Sequence, residues 1–478
     1  MKIRLFLIFA FALGCIETSA KVKLPDILGN HMVLQQNTII NLWGSTDPGR
    51  KVRITTSWNN AVYTVKANTE GDWHAEVRTT VAGGPYHIIF DDGDRLRLDN
   101  ILLGDVWVCS GQSNMQMPLK GFPAQPVYRS TETILEACRY PKLRLFTVER
   151  TPSDVPQTDC KGQWQTSSMS SAADFSAVGY FFAKNLSDVL DIPIGMIESD
   201  WGGTRIETWM PRSSALKIDK NILATDSTAV YFDKTSVLYN GMIAPITRFT
   251  AKGFIWYQGE SNKGHHDKYA ANMAEMVSSW RQLWGNDRMP FYYVQIAPFD
   301  YDIPEHQFEN HTNPILCPLV VEAQLQALQL IPYSGMVGTS DIGDSCMIHP
   351  PRKDLVGQRL ALLALARTYG IGGHDACGPM FDTARFEKNT VYVRFRSESE
   401  LTPLAQSIRG FEVAGADRIF YPAEASICGA YEVKVFSSKV PAPQAVRYGF
   451  RNVIQVNLYN TMGLPAYPFR TDRWNDFK

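Results

Sequence analysis

The chain has 478 residues, more than one ordinary hydrophobic core organises, so two or three domains are expected. Its 47 lysines and arginines nearly balance its 48 aspartates and glutamates, which leaves no basic field to hold nucleic acid or an anionic membrane. A hydrophobic content of 45% is that of a globular protein with enough apolar residues for these cores.

Residues 1–20 have the pattern of a secretory signal peptide. Lys2 and Arg4 precede an apolar run at 5–13, and Thr18-Ser-Ala20 offers small residues for cleavage. The run is too short to remain as a membrane anchor. We predict a secreted, periplasmic protein with no stable membrane span. Processing before Cys15, which would give a lipid-anchored protein, ranks second. Leu13 lies one position away from the place that leucine usually has in a lipobox.

Eight cysteines occur in the chain, and cleavage after Ala20 would leave seven, so at least one has no partner within the chain. No two cysteines have the C-x-x-C spacing, and no cysteine and histidine have the spacing of a zinc site. The sequence therefore predicts no metal and no cofactor. A disulfide between Cys138 and Cys160 is compatible with an oxidising compartment, but the spacing does not establish it.

Three regions follow the signal peptide. Residues 21–103 have short alternating runs, such as 51–56 and 86–90, between turn-rich gaps, and they predict a β-sandwich-like N-terminal domain. In residues 104–375 apolar strands alternate with helices, which predicts an α/β domain with a mostly parallel sheet and helices on both faces. Residues 376–478 return to alternating runs and predict a C-terminal β module.

Individual elements of the two later regions can be placed by their periodicity. The predicted strands of the α/β domain are 106–109, 192–198, 253–257, 291–296 and 335–339. Its predicted helices are 177–190, 269–283, 321–330 and 353–369. The stretches 118–174 and 299–318 look irregular, so we expect loops over the rim of a site. In the C-terminal module the predicted strands are 389–395, 431–436 and 452–458.

The first candidate for chemistry follows the strand at 106–109. The apolar run stops in Gly111-Gln-Ser-Asn-Met115, which places Ser113 where open α/β sheets bind ligands. The segment is not the G-x-S-x-G elbow of α/β-hydrolases, because Met115 occupies the second glycine position. A buried strand followed by an ordinary polar turn is the alternative interpretation. Ser113 is the candidate nucleophile.

Two further loops follow predicted strands and could hold an oxyanion. Gly202 and Gly203 would let backbone N–H groups approach a substrate oxygen. In the loop after 253–257, the side-chain amide of Gln258 or Asn262 could donate to the same oxygen. Turn formation and internal hydrogen bonding are the competing explanations for these residues.

His349 is the candidate base, because it follows the strand at 335–339 and immediately precedes a helix. The positive end of that helix disfavours an imidazolium, so the ring should rest neutral and able to accept a proton. Asp341 and Asp344 are the candidate carboxylates beside it. A serine, glycines, an amide and a histidine at successive strand ends form an acyl-transfer constellation.

With these residues in place, the chain resembles the sialate O-acetylesterase family, carbohydrate esterases of the SGNH-hydrolase superfamily. The matching motifs are Gly111-Gln-Ser-Asn-Met115, Trp201-Gly-Gly-Thr204, Tyr239-Asn-Gly-Met-Ile-Ala-Pro245, Trp256-Tyr-Gln-Gly-Glu-Ser-Asn262 and Ile348-His-Pro350. The resemblance implies a flavodoxin-like three-layer esterase domain beside β modules, no metal, and removal of acetyl groups from sugars. Ser113 and His349 match its catalytic pair.

The resemblance also bears on the remaining site residues. Gly203, Gln258 and Asn262 are expected at the oxyanion hole, and substrate contacts are expected from Gln112, Arg205, Asn240 and Glu260. Arg205 could pair with a carboxylate such as that of sialic acid. Many relatives have an aspartate three residues before the histidine, where this chain has Cys346. Either Asp344 or Asp341 reaches the ring, or a backbone carbonyl orients it in a Ser–His dyad; Asp344 is the predicted third member.

Four functions remain open on the sequence. The preferred one is an O-acetylesterase acting on acetylated sialic acids, and the second is an esterase of acetylated xylan or another plant glycan. A glycosidase using Glu198, Asp200 and Glu260 would need two carboxyl groups across a sugar ring and leaves Ser113 and His349 unexplained. A glycan-binding protein that has lost catalysis is the alternative from another class. The oligomeric state is not predicted.

Overall fold

A computed structural model describes residues 21–301, 314–403 and 407–474. The predicted signal peptide, residues 1–20, lies outside the described residues. Within those ranges, no helix combines the length and the apolar character needed to cross a membrane. The seven cysteines of the described ranges are unpaired, Cys138 and Cys160 among them.

The N-terminal region is built from short strands, as predicted. They are β1 (Val33–Gln35), β2 (Ile39–Ser45), β3 (Lys51–Thr56), β4 (Val62–Lys66), β5 (Asp72–Arg78) and β6 (Gly83–Asp91). β2 pairs with β5, and β3 lies between β4 and β6, all antiparallel. Trp73, Ala75 and Val77 alternate with exposed residues along β5, so one face of this pair packs on the core.

One long strand, β7 (Arg95–Gly111), connects this region to the rest of the molecule. Its first half pairs antiparallel with β6, and its second half lies in the central parallel sheet. At Gly104 a Cβ would lie 2.0 Å from the carbonyl oxygen of Pro193, so only glycine lets the neighbouring chain approach this closely. The domain boundary predicted between residues 103 and 104 lies inside this strand, and the three-part division stays a prediction.

The central region alternates strands and helices. Its helices are α1 (Ser113–Gln116), α2 (Ser130–Glu136), α3 (Met169–Asp174), α4 (Ala177–Leu190), α5 (Arg212–Ile218), α6 (Ile222–Thr225), α7 (His266–Leu283), α8 (Leu316–Leu330) and α9 (Lys353–Arg367). Its further strands are β8 (Leu143–Thr147), β9 (Trp164–Thr166), β10 (Ile194–Asp200), β11 (Gly253–Tyr257), β12 (Phe291–Val294) and β13 (Ser334–Val337). Short helical turns lie at Ala137–Arg139, Ile206–Trp209, Tyr231–Asp233, Tyr239–Ile243, Ala244–Ile246 and Glu260–Asn262.

The central sheet has the order β13-β12-β11-β7-β10-β8-β9, and every pair is parallel except β8 with β9. Apolar residues of α4 and α9 share one core with Trp107, and those of α7 and α8 share another with Phe254. The predicted three-layer α/β fold with flanking β sheets is therefore confirmed. Since the chain passes from β10 across β7 to β11, a crevice opens at the carboxyl ends of these three strands.

The prediction that 118–174 is irregular was wrong in its middle part, where β8 forms an inner strand of the sheet. The strand was missed because a buried arginine, Arg144, interrupts its apolar pattern. Its guanidinium donates to the carbonyl oxygen of Pro141 and to Oδ1 of Asn100, while its Nε has no hydrogen-bond partner among the described residues.

The C-terminal β module contains ten strands within the described ranges. They are β14 (Met380–Glu387), β15 (Thr390–Arg396), β16 (Leu401–Pro403), β17 (Phe411–Ala414), β18 (Phe420–Pro422), β19 (Glu424–Gly429), β20 (Glu432–Phe436), β21 (Ala445–Tyr448), β22 (Leu458–Asn460) and β23 (Phe469–Arg470). Two antiparallel sheets, β14-β15-β20-β19 and β18-β17-β21-β23, share one core that includes Val393, Val433, Phe411 and Tyr448.

The strand predicted at 452–458 is absent; the backbone there is irregular until β22 begins at Leu458. Two asparagines connect this segment to other parts of the chain. Asn452 accepts a hydrogen bond from the amide of Cys317 at the start of α8, and Asn457 accepts one from the amide of Arg409. The polar positions of this alternating pattern bind other segments of the chain rather than a neighbouring strand.

The end of β7 gives a first testable prediction. Gly111 has φ 142, and a Cβ there would lie 2.1 Å from the carbonyl oxygen of Tyr257. We expect Gly111→Ala to lower the free energy of unfolding by about 2–4 kcal/mol, because the backbone must move away from β11. Gly372→Ala is the matched control, since Gly372 is exposed and a Cβ there meets nothing within 4 Å. Equal urea midpoints for the two variants would contradict this account.

Candidate active site

Ser113 lies where the ends of three strands meet. It opens α1 directly after β7. The backbone N–H of Gln112 donates to the carbonyl oxygen of Tyr257 at 3.0 Å, which fixes the turn against β11. The loop after β10 closes over it, since a Cβ added to Gly202 would lie 3.1 Å from Cβ of Ser113. Ser113 is half-buried, so its side chain lies at the floor of the crevice.

Asn114 joins the loops that surround this floor. Its amide nitrogen donates to Oε1 of Glu260 in the loop after β11 and to the carbonyl oxygen of Ile348 at 3.1 Å. Its oxygen accepts a hydrogen bond from Nζ of Lys353, the first residue of α9. The residue after Ser113 is thus bonded to the residue before His349, and the predicted nucleophile and base share one crevice.

Burial alters the charges of this network. Desolvation raises the pKa of Glu260 and lowers the pKa of Lys353 to about 7, while each charge partly stabilises the other. Nζ of Lys353 also lies 5.3 Å from the centre of the Tyr257 ring. A lysine and a glutamate, both buried, therefore lie beneath the crevice, and each is hydrogen-bonded to Asn114.

His349 lies at the other side of the crevice, held by a segment that precedes α2. Its Nδ1 is 2.6 Å from Oε1 of Gln125, and its ring meets the edge of Phe122 at 5.3 Å between centroids. Burial, with a smaller contribution from the cation of Lys353, lowers the pKa of His349 to about 4. The neutral imidazole is therefore favoured at physiological pH, and the causes are burial and the Lys353 cation.

Neither candidate carboxylate is the hydrogen-bond partner of His349 in this structure. Asp344 is exposed, and its Oδ1 accepts hydrogen bonds from the amides of Cys346 and Met347, which closes a local turn. Asp341 forms a two-pronged ion pair with Arg359 at 2.7 and 2.9 Å. Both carboxylates stabilise the loop, and the ring nitrogen is bonded to an amide instead.

The predicted oxyanion donors fall into two groups. Gly203 is exposed with φ 73, and a Cβ there would meet nothing within 4 Å, so its backbone borders open space. The amides of Gln258 and Asn262 are fully buried: Gln258 donates to Asn262 and to the carbonyl oxygen of Thr204, and Asn262 donates to Glu207. The two side-chain amides hold loops together inside the protein.

Three of the expected substrate contacts are also engaged by the protein. Oε1 of Gln112 accepts hydrogen bonds from the amides of Gly259 and Ser261, both at 3.2 Å. Nε of Arg205 donates to Oδ2 of Asp233 at 2.9 Å, and Asn240 donates to the carbonyl oxygen of Ser153. The fourth, Glu260, is the buried partner of Asn114.

The carboxylates required by the glycosidase hypothesis are inside the protein as well. Glu198, which is 2% exposed, accepts from Thr147, and Asp200, which is 1% exposed, pairs with Arg150 at 3.0 Å. Burial raises the pKa of both carboxyls. They support the end of β10 rather than facing a sugar in the crevice.

Two aromatic groups adjoin the candidate residues. Trp201, directly before Gly202, stacks on Phe232 with ring centroids 5.1 Å apart and planes 7° from parallel. Phe122 packs against the ring of His349. Pockets lined by aromatic faces with a few placed polar groups are typical of small-ligand sites.

Sequence reasoning missed Gln125, Gln116 and Lys353. Gln125 and His349 are 224 residues apart, and no local pattern marks Gln125. Oε1 of Gln116 accepts a hydrogen bond from the amide of Gly202 at 2.6 Å. Lys353 was assigned only to a helix start, although a lysine at the buried end of an apolar helix is a signal that could have been weighed. Within the described ranges, no three His, Cys, Asp or Glu side chains are grouped so as to hold a metal ion.

Comparison with known proteins identifies the family of this chain. Residues 103–362 match the family described as carbohydrate esterase, sialic acid-specific acetylesterase. The chain belongs to this family. A solved carbohydrate acetylesterase from Xanthomonas citri is 34% identical with a TM-score of 0.86, over 95% of this chain and 100% of that one. The sialate O-acetylesterase of Homo sapiens is 30% identical over 75% of this chain and 73% of its own length, and that of Mus musculus is 27% identical over 82% of each.

The protein is therefore a carbohydrate esterase, as the motifs predicted, and its substrate class is acetylated sugars. The matched region, 103–362, includes all five motifs that carried the resemblance. It also includes Asn114, Gln125 and Lys353, which surround the crevice of this esterase.

The Asn114 network gives a second testable prediction. We expect Asn114→Ala to lower the free energy of unfolding by about 2–4 kcal/mol, because it leaves a buried ammonium and a buried carboxyl without their shared partner. Esterase activity should fall as well, since the link to Ile348 is lost. Asn221→Ala is the control, as Asn221 is exposed and makes no side-chain cap to its helix. Wild-type stability in the Asn114 variant would show that the network is not needed for folding.

Proposed function

We propose that this esterase removes acetyl groups from O-acetylated sugars with Ser113 as nucleophile and His349 as general base. The observation that carries the proposal is the hydrogen bond between Nδ1 of His349 and Oε1 of Gln125. Because an amide oxygen only accepts, Nδ1 holds the proton, and the lone pair of Nε2 is left to accept one from a serine hydroxyl. The neutral state of the ring at physiological pH supports the same role.

The reaction takes two steps on this assignment. Oγ of Ser113 attacks the acetyl carbonyl carbon while its proton passes to Nε2 of His349. The bond between the acetyl carbon and the sugar oxygen breaks, and the sugar leaves with that proton. Water then attacks the acetyl-serine ester and gives a proton to His349, which returns it to Ser113 as acetate is released.

The developing oxyanion needs donors, and we assign them to backbone rather than side chains. Ser113 is the first residue of the one-turn helix α1, so its N–H has no partner within the helix. The N–H of Gly203 forms no hydrogen bond within the described part of the chain. These two groups support the proposed oxyanion hole, whereas Gln258 and Asn262 are better explained as structural.

Acetylated sialic acids are the first proposed substrates, because the family and the mammalian relatives carry that description. Acetylated xylan or another plant glycan is the second candidate, and one observation favours it. The guanidinium of Arg205, proposed for the sialic acid carboxylate, is bonded to Asp233 through both Nε and Nη2. If residues 1–20 act as a signal peptide, the enzyme meets either substrate outside the cytoplasm.

The nucleophile is tested by Ser113→Ala. We expect loss of acetate release by at least about 10³-fold from an aryl acetate and from every acetylated glycan that the wild type accepts. A serine-directed phosphonate should label the wild type and fail to label the variant. Ser345→Ala is the matched control, an exposed serine in the His349 loop. Full activity in the Ser113 variant would contradict the assignment.

The role of Arg205 separates the two substrate classes. Because Asp233 engages it, we expect Arg205→Ala to lower stability and to reduce kcat/KM for acetylated sialic acid and for acetylated xylan by the same factor. A direct ion pair with substrate would instead give a selective loss of about tenfold or more for sialic acid. Asp233→Asn, which weakens the same clamp without removing the guanidinium, should reproduce the equal loss.

A further inference from the structure

The segment that holds His349 is built around a tight turn. Phe122 and Gln125 face each other across Pro123 and Ala124, and their backbones exchange hydrogen bonds at 2.9 and 3.1 Å. Both flanking side chains touch the same ring, Phe122 by its edge and Gln125 by Oε1. The turn thus presents one apolar and one polar contact to His349.

Further hydrogen bonds fix this turn relative to the histidine loop. The amide of Gly121, with φ 83, donates to the carbonyl oxygen of Pro118, and a Cβ at Gly121 would lie 2.5 Å from the carbonyl oxygen of Gln125. The amide of Tyr128 donates to the carbonyl oxygen of Pro351 at 2.8 Å. The backbone of Gln125 is therefore held from both sides, which keeps its side chain within reach of the ring.

We propose that Gln125 is the positioning residue of the catalytic histidine, an uncharged amide that takes the place of the triad carboxylate. This inference rests on the proposed function, because it assigns a partner to the proposed base. Oε1 fixes the ring orientation and keeps the proton on Nδ1, as a carboxylate would. Unlike a carboxylate, it brings no negative charge that would favour the imidazolium.

Among the residues that the structure describes, no carboxylate is hydrogen-bonded to the ring of His349. Lys353 of α9 opposes protonation, and Glu260 is separated from the ring by Asn114. Within its own loop, Asp344 is bound to backbone amides. Asp341 forms an ion pair with Arg359, and Asp354 forms one with Arg352. The base form should therefore persist into acidic solution.

A negative charge at position 125 would move the pKa of His349 in a definite direction. A carboxylate beside Nδ1 stabilises the imidazolium and so raises the pKa of His349, which removes the base form at higher pH. In Gln125→Glu we expect the acidic limb of the kcat/KM profile to move up by about one pH unit or more. In Gln125→Ala we expect kcat to fall by about 10- to 100-fold with KM nearly unchanged, and the limb not to move upward.

The experiment compares pH profiles of aryl acetate hydrolysis for the wild type, both Gln125 variants and Gln165→Glu. Gln165 is exposed on β9, so the control adds the same charge away from the site. An upward shift in Gln125→Glu alone supports the proposal. Equal profiles for the wild type and Gln125→Glu, or an equal shift in Gln165→Glu, would overturn it.

A second readout separates this inference from the proposed function. Nitrogen-15 NMR titration of His349 in the Ser113→Ala background reports the tautomer and the pKa of the ring without turnover, and His349→Ala identifies its signals. A proton on Nδ1 and an upward shift on adding Gln125→Glu support the positioning role even where Ser113→Ala retains activity. A proton on Nε2, or no shift, refutes it even where Ser113 proves to be the nucleophile.

Discussion

The site depends on one side chain that takes no part in the proposed chemistry. Asn114 donates to the carboxyl of Glu260 and to the backbone of Ile348, and it accepts from Lys353. A carboxamide can do this because it carries donors and an acceptor together. Since buried polar groups are costly without partners, the loops after β7 and β11 and the start of α9 are held in one arrangement. Ser113 and His349 adjoin two of the bonded residues, so their relative position follows from this network.

The same network sets the electrostatics of the crevice. Burial destabilises the ammonium of Lys353, the carboxylate of Glu260 and the imidazolium of His349 alike. The lysine and glutamate compensate each other through Asn114, whereas the Lys353 cation adds to the effect of burial on His349. A neutral base is therefore a consequence of where the ring lies. A carboxylate at its Nδ1 would oppose that consequence, and an amide does not.

Much of the fold was predictable because the decisive patterns are local. α4 and β11 have the predicted ends, since an amphipathic helix and a buried apolar strand are each read within a few residues. β8 was not predicted, because the buried Arg144 interrupts its apolar pattern. The prediction of a strand at 452–458 was wrong, because asparagines there form hydrogen bonds with other segments. Ser113 could be named because it follows the end of a strand, and His349 because it lies in the loop between a strand and the start of a helix. Gln125 could not, because its contact with His349 exists only after folding.

The amide-rich motifs match the alternative that the sequence left open for them, which is internal hydrogen bonding of the loops. Gln112, Gln258 and Asn262 looked like groups meant for substrate, yet each is buried and bonds a neighbouring loop. An uncharged side chain with both donor and acceptor can bridge backbone groups without the desolvation penalty of an ion. We propose that Gln125 does the same beside His349, where its uncharged amide holds the ring. On the proposed mechanism, the imidazolium formed during acyl transfer gains no counter-charge from Gln125, and the oxyanion that forms with it is the charge that stabilises it.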